Sequence, residues 1–149
     1  MIEIKNIYKK FGKLEVLNNI NLSFKKGECI ALIGPNGCGK TTLIKSILGM
    51  VIPTKGDILF DQKSILKEFE YRENIGYMPQ IGRYPDYMTV GQIIEMIKKI
   101  RNSEQVLDED LIKSFELEKI VDKQMRTLSG GTTQKVSATL AFLFNPEVL

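Results

Sequence analysis

Between Cys29 and Leu48 the chain reads CIALIGPNGCGKTTLIKSIL, and no other stretch limits the fold as much. Cys29–Ile33 is apolar at every position, as a strand covered on both faces of a sheet would be. Gly34, four residues, then Gly39, Lys40 and Thr41 follow at phosphate-loop spacing. Leu43, Ile44, Ile47 and Leu48 then fall at helical intervals, and Gly49 with Pro53 supplies a stop. A strand, a glycine-rich turn and a helix in that order form a cradle for an anion. The glycines let successive N–H groups converge on phosphate oxygens, and the helix that starts there adds partial positive charge. Lys40 is placed to reach the terminal phosphates, and the Thr41 hydroxyl to complete the shell of a Mg²⁺ ion.

The flanking sequence sets this cradle in an α/β domain. Ile2 and Ile4 alternate with polar residues, as do Ile20, Leu22 and Phe24 before the turn KKGE, so the amino-terminal region reads as half-buried strands. Gly56–Phe60 and Asn74–Gln80 read as two more strands. From Val90 the apolar positions Ile93, Ile94, Ile97 and Ile100 take helical spacing, which continues through Leu111, Phe115 and Ile120. Residues 87–128 therefore read as a helical insert. A last helix is expected to start at Ser129 as N-cap and to end near Asn145 and Pro146.

Composition excludes several classes. An apolar fraction of 43% with 26% charged residues suits one globular domain. A net charge of +3 with no long Lys and Arg run gives no nucleic-acid surface, so no nucleic-acid partner is expected. No apolar run approaches the roughly 20 residues of a membrane span, and the start MIEIKNIYKKFG lacks a signal core. Cys29 and Cys38 make no disulfide framework, consistent with a reducing compartment. Cys38 lies inside the loop at a helix start, where thiols tend to be reactive; a small residue filling a tight turn is the simpler reading.

LSGG at Leu128–Gly131 is a second glycine-bearing helix start, which by itself reads as a cap. In order with the phosphate loop and with Gln80 in GYMPQ, it resembles the signature of ATP-binding-cassette (ABC) transporter subunits, and the resemblance covers the whole chain. It implies a P-loop NTPase core of ABC type with an amino-terminal antiparallel β subdomain and a helical insert. The domain would run 1–149, with residues 1–86 as β subdomain and core, 87–128 helical, and 129–149 the signature helix and the start of the next strand.

The resemblance also implies roles. ATP and Mg²⁺ would be held by Gly34, Pro35, Asn36, Gly37, Cys38, Gly39, Lys40, Thr41 and Thr42. Phe11 in IYKKFG would stack on adenine. Lys40 and Gln80 would serve catalysis, with Thr41 and Gln80 on the metal. Ser129, Gly130 and Gly131 would address a nucleotide on a second ABC subunit, so that two subunits enclose two nucleotides head to tail. Thr132 stands where the commonest signature has Gln. The segment IGRYPDYMTV after Gln80 looks like the surface that meets a membrane-spanning permease, which places the protein in the cytoplasm on the inner face of the membrane. YMPQIGRYPDYMTV together with LSGGTTQKV is similar to subunits of the copper-processing and nitrous-oxide-reductase maturation type.

Hydrolysis needs a held metal and a group that orients water. The family supplies these on an apolar strand ending in Asp-Glu and by a later histidine. The chain stops before either, at EVL, and contains no histidine. VLDED at Val106–Asp110 is no substitute: it precedes the signature and reads as a capped helix start. The 149 residues are thus expected to lack the end of the core sheet, to leave the loop strand with an unpaired edge, to bind nucleotide weakly and to hydrolyse little. A soluble relative acting in DNA repair or translation and a nucleotide-dependent interaction module without catalysis remain alternatives.

Overall fold

The computed structural model describes residues 1–66, 68–101 and 106–149. The chain divides into two compact units, Met1–Tyr71 and Arg72–Leu149.

The first unit is built on an antiparallel sheet. Strand β1 (Ile2–Phe11) lies between β2 (Leu14–Phe24) and β3 (Lys55–Phe60), and the short β4 (Lys63–Ser64) pairs with β3, giving the order β2-β1-β3-β4. The alternation at Ile2 and Ile4 puts both in the core. A register shift between Ile4 and Ile7, with Asn6 at φ 49°, then adds one residue, and Ile7 joins them fully buried. Asn6 is held there by side chains of β2: its N–H donates to Asn21 Oδ1 at 2.8 Å and its Nδ2 to Asn19 Oδ1 at 2.9 Å. Ile20 is only partly buried and Leu22 is exposed, so the core face of β2 rests on Leu17.

Helix α1 (Lys40–Ile47) buries Leu43 and Ser46, and Leu48 is buried beyond its end; Ile44 stays exposed. Gly49 at φ 68° ends it in a Schellman turn, with Met50 N–H donating to Lys45 C=O at 2.8 Å and Gly49 N–H to Ser46 C=O at 3.1 Å.

The stretch Cys29–Ile33 departs from expectation. It joins no ladder among the described residues and its side chains are exposed, Ile33 to 89%. An apolar run specifies a strand only when neighbouring strands take its N–H and C=O groups, and here none does.

The second unit is mainly helical. Its core gathers Val90, Ile93, Ile94, Leu117, Met125, Val136, Leu143 and Phe144. Helix α2 (Val90–Arg101) opens with a reciprocal cap: Thr89 N–H donates to Gln92 Oε1 at 2.9 Å, and Gln92 N–H to Thr89 Oγ1 at 3.2 Å. Residues 102–105 of the expected helical insert lie outside the described residues. Beyond them the helical run is shorter than its spacing suggests. Helix α3 (Asp110–Ser114) stops before Glu116, whose φ of 53° breaks the helix, and Leu117–Ile120 forms a single 3₁₀ turn. VLDED is indeed a helix start, where Asp108 Oδ1 accepts from Asp110 N–H at 3.0 Å. Helix α4 (Gly130–Phe142) is capped by Ser129.

Asn74–Gln80 is not a strand. It makes one parallel bridge, Ile75 to Val148, with Gly76 N–H donating to Val148 C=O at 2.8 Å. The terminal EVL therefore lies alongside Asn74–Gly76. Arg101 fastens the same place: its guanidinium donates to the carbonyls of Glu73 (3.0 Å) and Ile75 (3.2 Å) and lies 4.6 Å from the Phe144 ring centroid. Burial pulls its pKa down and Glu73 opposes this, and it stays charged. Among the described residues no helix is long and apolar enough to cross a membrane.

Candidate functional site

The phosphate loop lies in the first unit and keeps the geometry that an anion cradle needs. Gly37 and Gly39 have φ of 82° and 96°, a region that side chains with Cβ strongly disfavour. Gly39 also faces β2 closely, since a Cβ there would lie 2.7 Å from the Val16 carbonyl oxygen. The loop is thus pinned to the sheet at its last glycine. Helix α1 begins directly after it with no side-chain cap and no acidic residue in its first turn, so its N-terminal N–H groups and partial charge remain available to an anion.

Lys40 is drawn back across this turn. Its Nζ donates to the carbonyls of Gly34 and Pro35, both at 2.7 Å, and lies 3.7 Å from Cys38 Sγ. A single ammonium held by the loop's own rim puts positive charge where phosphate oxygens would converge. Cys38 is exposed, and its Sγ would lie 2.9 Å from a Cβ added at Gly34. A small side chain is what this turn accommodates. Thr41 is exposed in the first turn of α1 and offers a hydroxyl, a hard oxygen of the kind Mg²⁺ takes. Among the described residues no group of three or more His, Cys, Asp or Glu could hold a metal. A Mg²⁺ bound through one hydroxyl, phosphate oxygens and water needs no such group, so the donor set fits that ion.

Phe11 ends β1 and is half-exposed, and Lys9 Nζ stands 4.9 Å from its ring centroid. No pattern in the sequence singles out Lys9.

Gln80 and the signature lie in the second unit. Gln80 is exposed in a segment without regular structure. The residues after it are fastened down: Tyr84 Oη and Ser137 Oγ are 2.8 Å apart, and Ser137 is only 2% exposed. Arg126 N–H donates to Asp86 C=O at 3.1 Å, Met125 N–H to Met88 C=O at 2.9 Å, and the Arg126 guanidinium stacks 4.7 Å from the Tyr87 ring centroid. The strap leaving Gln80 is therefore joined both to α4 and to the strip that leads into Ser129. Partners 53 positions apart, like Tyr84 and Ser137, share no local signal.

At the start of α4, Ser129 Oγ accepts from Thr132 N–H at 3.2 Å and is 2.9 Å from Thr132 Oγ1. Nothing lies within 4 Å of a Cβ added at Gly130 or Gly131. Glycine costs a helix roughly 1 kcal/mol relative to alanine, and the packing of this chain does not require either one. Their backbone is left open to an approach from outside.

Residues 17–149 match a family model described as ABC transporter. The chain is 38% identical to the zinc import ATP-binding protein of Rickettsia conorii, covering all of the chain and 60% of that protein. It is 35% identical to the sulfate/thiosulfate import ATP-binding protein of Pectobacterium atrosepticum, over 99% of the chain and 47% of that protein. To the spermidine/putrescine import ATP-binding protein of Legionella pneumophila it is 31% identical, over the whole chain and 42% of the relative. The chain thus spans between two fifths and three fifths of these relatives' lengths. None of the three is of the copper-processing type.

Among solved structures it superposes on an ATP-binding subunit of an ABC transporter with a TM-score of 0.86 at 28% identity, over 97% of this chain and 62% of that one. An ATP-binding cassette solved as a dimer in a post-hydrolysis state, with ADP and Pi bound, gives 0.83 at 27%, over 98% and 71%. The P-loop NTPase core of ABC type is thereby the fold of this chain.

Proposed function

The chain belongs to the ABC transporter ATP-binding family, and from that premise we propose that it supplies the nucleotide-binding half of an ATPase that drives import through a separate membrane-spanning permease. One observation carries the reading: Lys40 is held across a loop with two positive-φ glycines, at the uncapped start of α1. In this reading the loop N–H groups and Lys40 take the β- and γ-phosphates of ATP, and Thr41 holds Mg²⁺ against them. The ion would neutralise charge developing on the transferred phosphoryl group. Gln80 is assigned to the Mg²⁺ ion or the attacking water, and Phe11 to the adenine.

Ser129, Gly130 and Gly131 of one protomer then address the nucleotide in the loop of a second. Support comes from the open backbone at both glycines and from the dimeric ATP-binding cassette that the chain resembles. Relatives of similar identity are named for cargoes as unlike as zinc, sulfate and spermidine, which implies that this part of the subunit powers transport and does not select cargo. The site of action is the cytoplasmic face of the membrane, where the strap after Gln80 meets the permease. With no histidine among them, the 149 residues by themselves should bind nucleotide weakly and hydrolyse it near background.

Mixing two variants tests the arrangement. Lys40→Ala breaks a protomer's loop and Ser129→Ala breaks what it offers its partner, so neither should associate alone in Mg·ATP. A mixture should form pairs carrying one intact site, visible by sedimentation. If the mixture associates no better than either variant alone, the head-to-tail reading is wrong.

A further inference from the structure

The ring of Phe11 does not stand alone at the end of β1. Lys9, two residues earlier in the strand, places its Nζ 4.9 Å from the ring centroid. That ammonium is itself anchored, donating to the Ile52 carbonyl at 2.7 Å. The acceptor is fixed in turn. Thr54 N–H donates to Tyr8 C=O at 2.7 Å, and Lys10 N–H to Thr54 Oγ1 at 3.2 Å, so residues 52–54 are stitched to the last residues of β1. The same segment follows α1 directly after its Schellman turn.

We propose that Lys9 is a positioning residue for the base of the bound nucleotide: its ammonium holds the back face of Phe11 and leaves one open face for adenine. The inference rests on the reading of Phe11 as the base platform. Two physical effects support it. An aromatic side chain beside a hairpin must otherwise be ordered when the base arrives, and a ring already clamped avoids that cost. A cation on one face of a benzene ring also draws its π density toward that side, so the opposite face becomes a better surface for an electron-rich purine. The ammonium donates to the Ile52 carbonyl and faces the ring, so its expected part is at the base, and a ligand without a base separates that part from charge attraction to phosphate.

The test compares affinities for ATP with those for inorganic tripolyphosphate, which has no base, by calorimetry on the 149-residue chain. Phe11→Ala should weaken ATP and leave tripolyphosphate unchanged. Lys9→Met should weaken ATP about two- to fivefold, the scale of an exposed cation–π contact, again without changing tripolyphosphate. Lys9→Arg should restore it, and Lys9→Met should add nothing in the Phe11→Ala background. Lys9→Gln serves if the Met variant misfolds. If Phe11→Ala weakens ATP but Lys9→Met and Lys9→Gln do not, the role of Lys9 is refuted and the platform stands. Equal weakening of ATP and tripolyphosphate by Lys9→Met means plain charge attraction and also refutes it. If Phe11→Ala changes nothing, the platform reading fails first.

Discussion

Replacing Gly39 by alanine should harm nucleotide binding far more than the same change at Gly37, although both sit in one loop and both need positive φ. At Gly37, φ is 82° and nothing lies within 4 Å of the added Cβ. The cost is the backbone strain alone, about 1–2 kcal/mol for an L side chain in that region. At Gly39, φ is 96°, and the Cβ would also meet the Val16 carbonyl oxygen at 2.7 Å, Leu17 Cδ2 at 3.0 Å and Val16 Cγ1 at 3.3 Å. The first of these is backbone of β2 and cannot swing aside, so an overpacking cost of about 1–3 kcal/mol is added. The loop relieves the strain by leaving its binding conformation, and recovering that conformation subtracts the cost from affinity. Gly37→Ala should therefore weaken ATP binding about 5- to 30-fold and Gly39→Ala about 30-fold or more. Titration with a fluorescent ATP analogue measures both, and urea unfolding followed by circular dichroism separates a loop effect from loss of the sheet. Equal losses at the two positions, or a larger loss at Gly37, would refute the claim that β2 pins the loop.

Other outcomes follow from the second unit and from the loop thiol. Tyr84→Phe leaves the buried Ser137 hydroxyl without its partner and should destabilise the helical unit by about 1–2 kcal/mol, whereas the double variant with Ser137→Ala should recover part of that in urea unfolding. Arg101→Ala removes two carbonyl hydrogen bonds and the stack on Phe144, an expected loss of about 2–3 kcal/mol; Arg101→Lys should not restore it, because one ammonium cannot reproduce the planar fork. Alkylation of Cys38 places bulk 3.7 Å from Lys40 Nζ and should block ATP binding, with ATP protecting the thiol and Cys38→Ala binding ATP normally. Mass mapping of the labelled cysteine alongside the binding assay checks this.

The phosphate loop and the Ser129 cap were legible because their requirements are local: a positive-φ glycine and a capping hydroxyl each act within a few residues of chain. The start of α2 was legible from apolar spacing, whereas the reciprocal cap of Thr89 and Gln92 emerged only in the structure. That β1 and β2 are strands could be read from alternation, but their register could not. The extra residue at Asn6 depends on Asn19 and Asn21 across the ladder. Cys29–Ile33 failed as a strand for the opposite reason: its pattern is right, yet pairing belongs to two segments and the described residues offer no second one. Within residues 106–128, helical spacing overestimated the helix because Glu116 turns to positive φ, and no proline or glycine there announces the break.

By itself the sequence determined where an anion cradle can form, since such a cradle is assembled from the backbone of one short continuous stretch. Tertiary structure decided what surrounds that chemistry: β2 against Gly39, Lys9 behind Phe11, Tyr84 on Ser137, Arg101 over the carbonyls of Glu73 and Ile75. Tyr84 and Arg101 meet groups dozens of residues away, Lys9 is held behind Phe11 by the carbonyl of Ile52, 43 positions on, and β2 reaches Gly39 only through how the sheet packs. Contacts of that kind cost loop-closure entropy that only the whole fold repays, and so they leave no mark in the order of neighbouring residues.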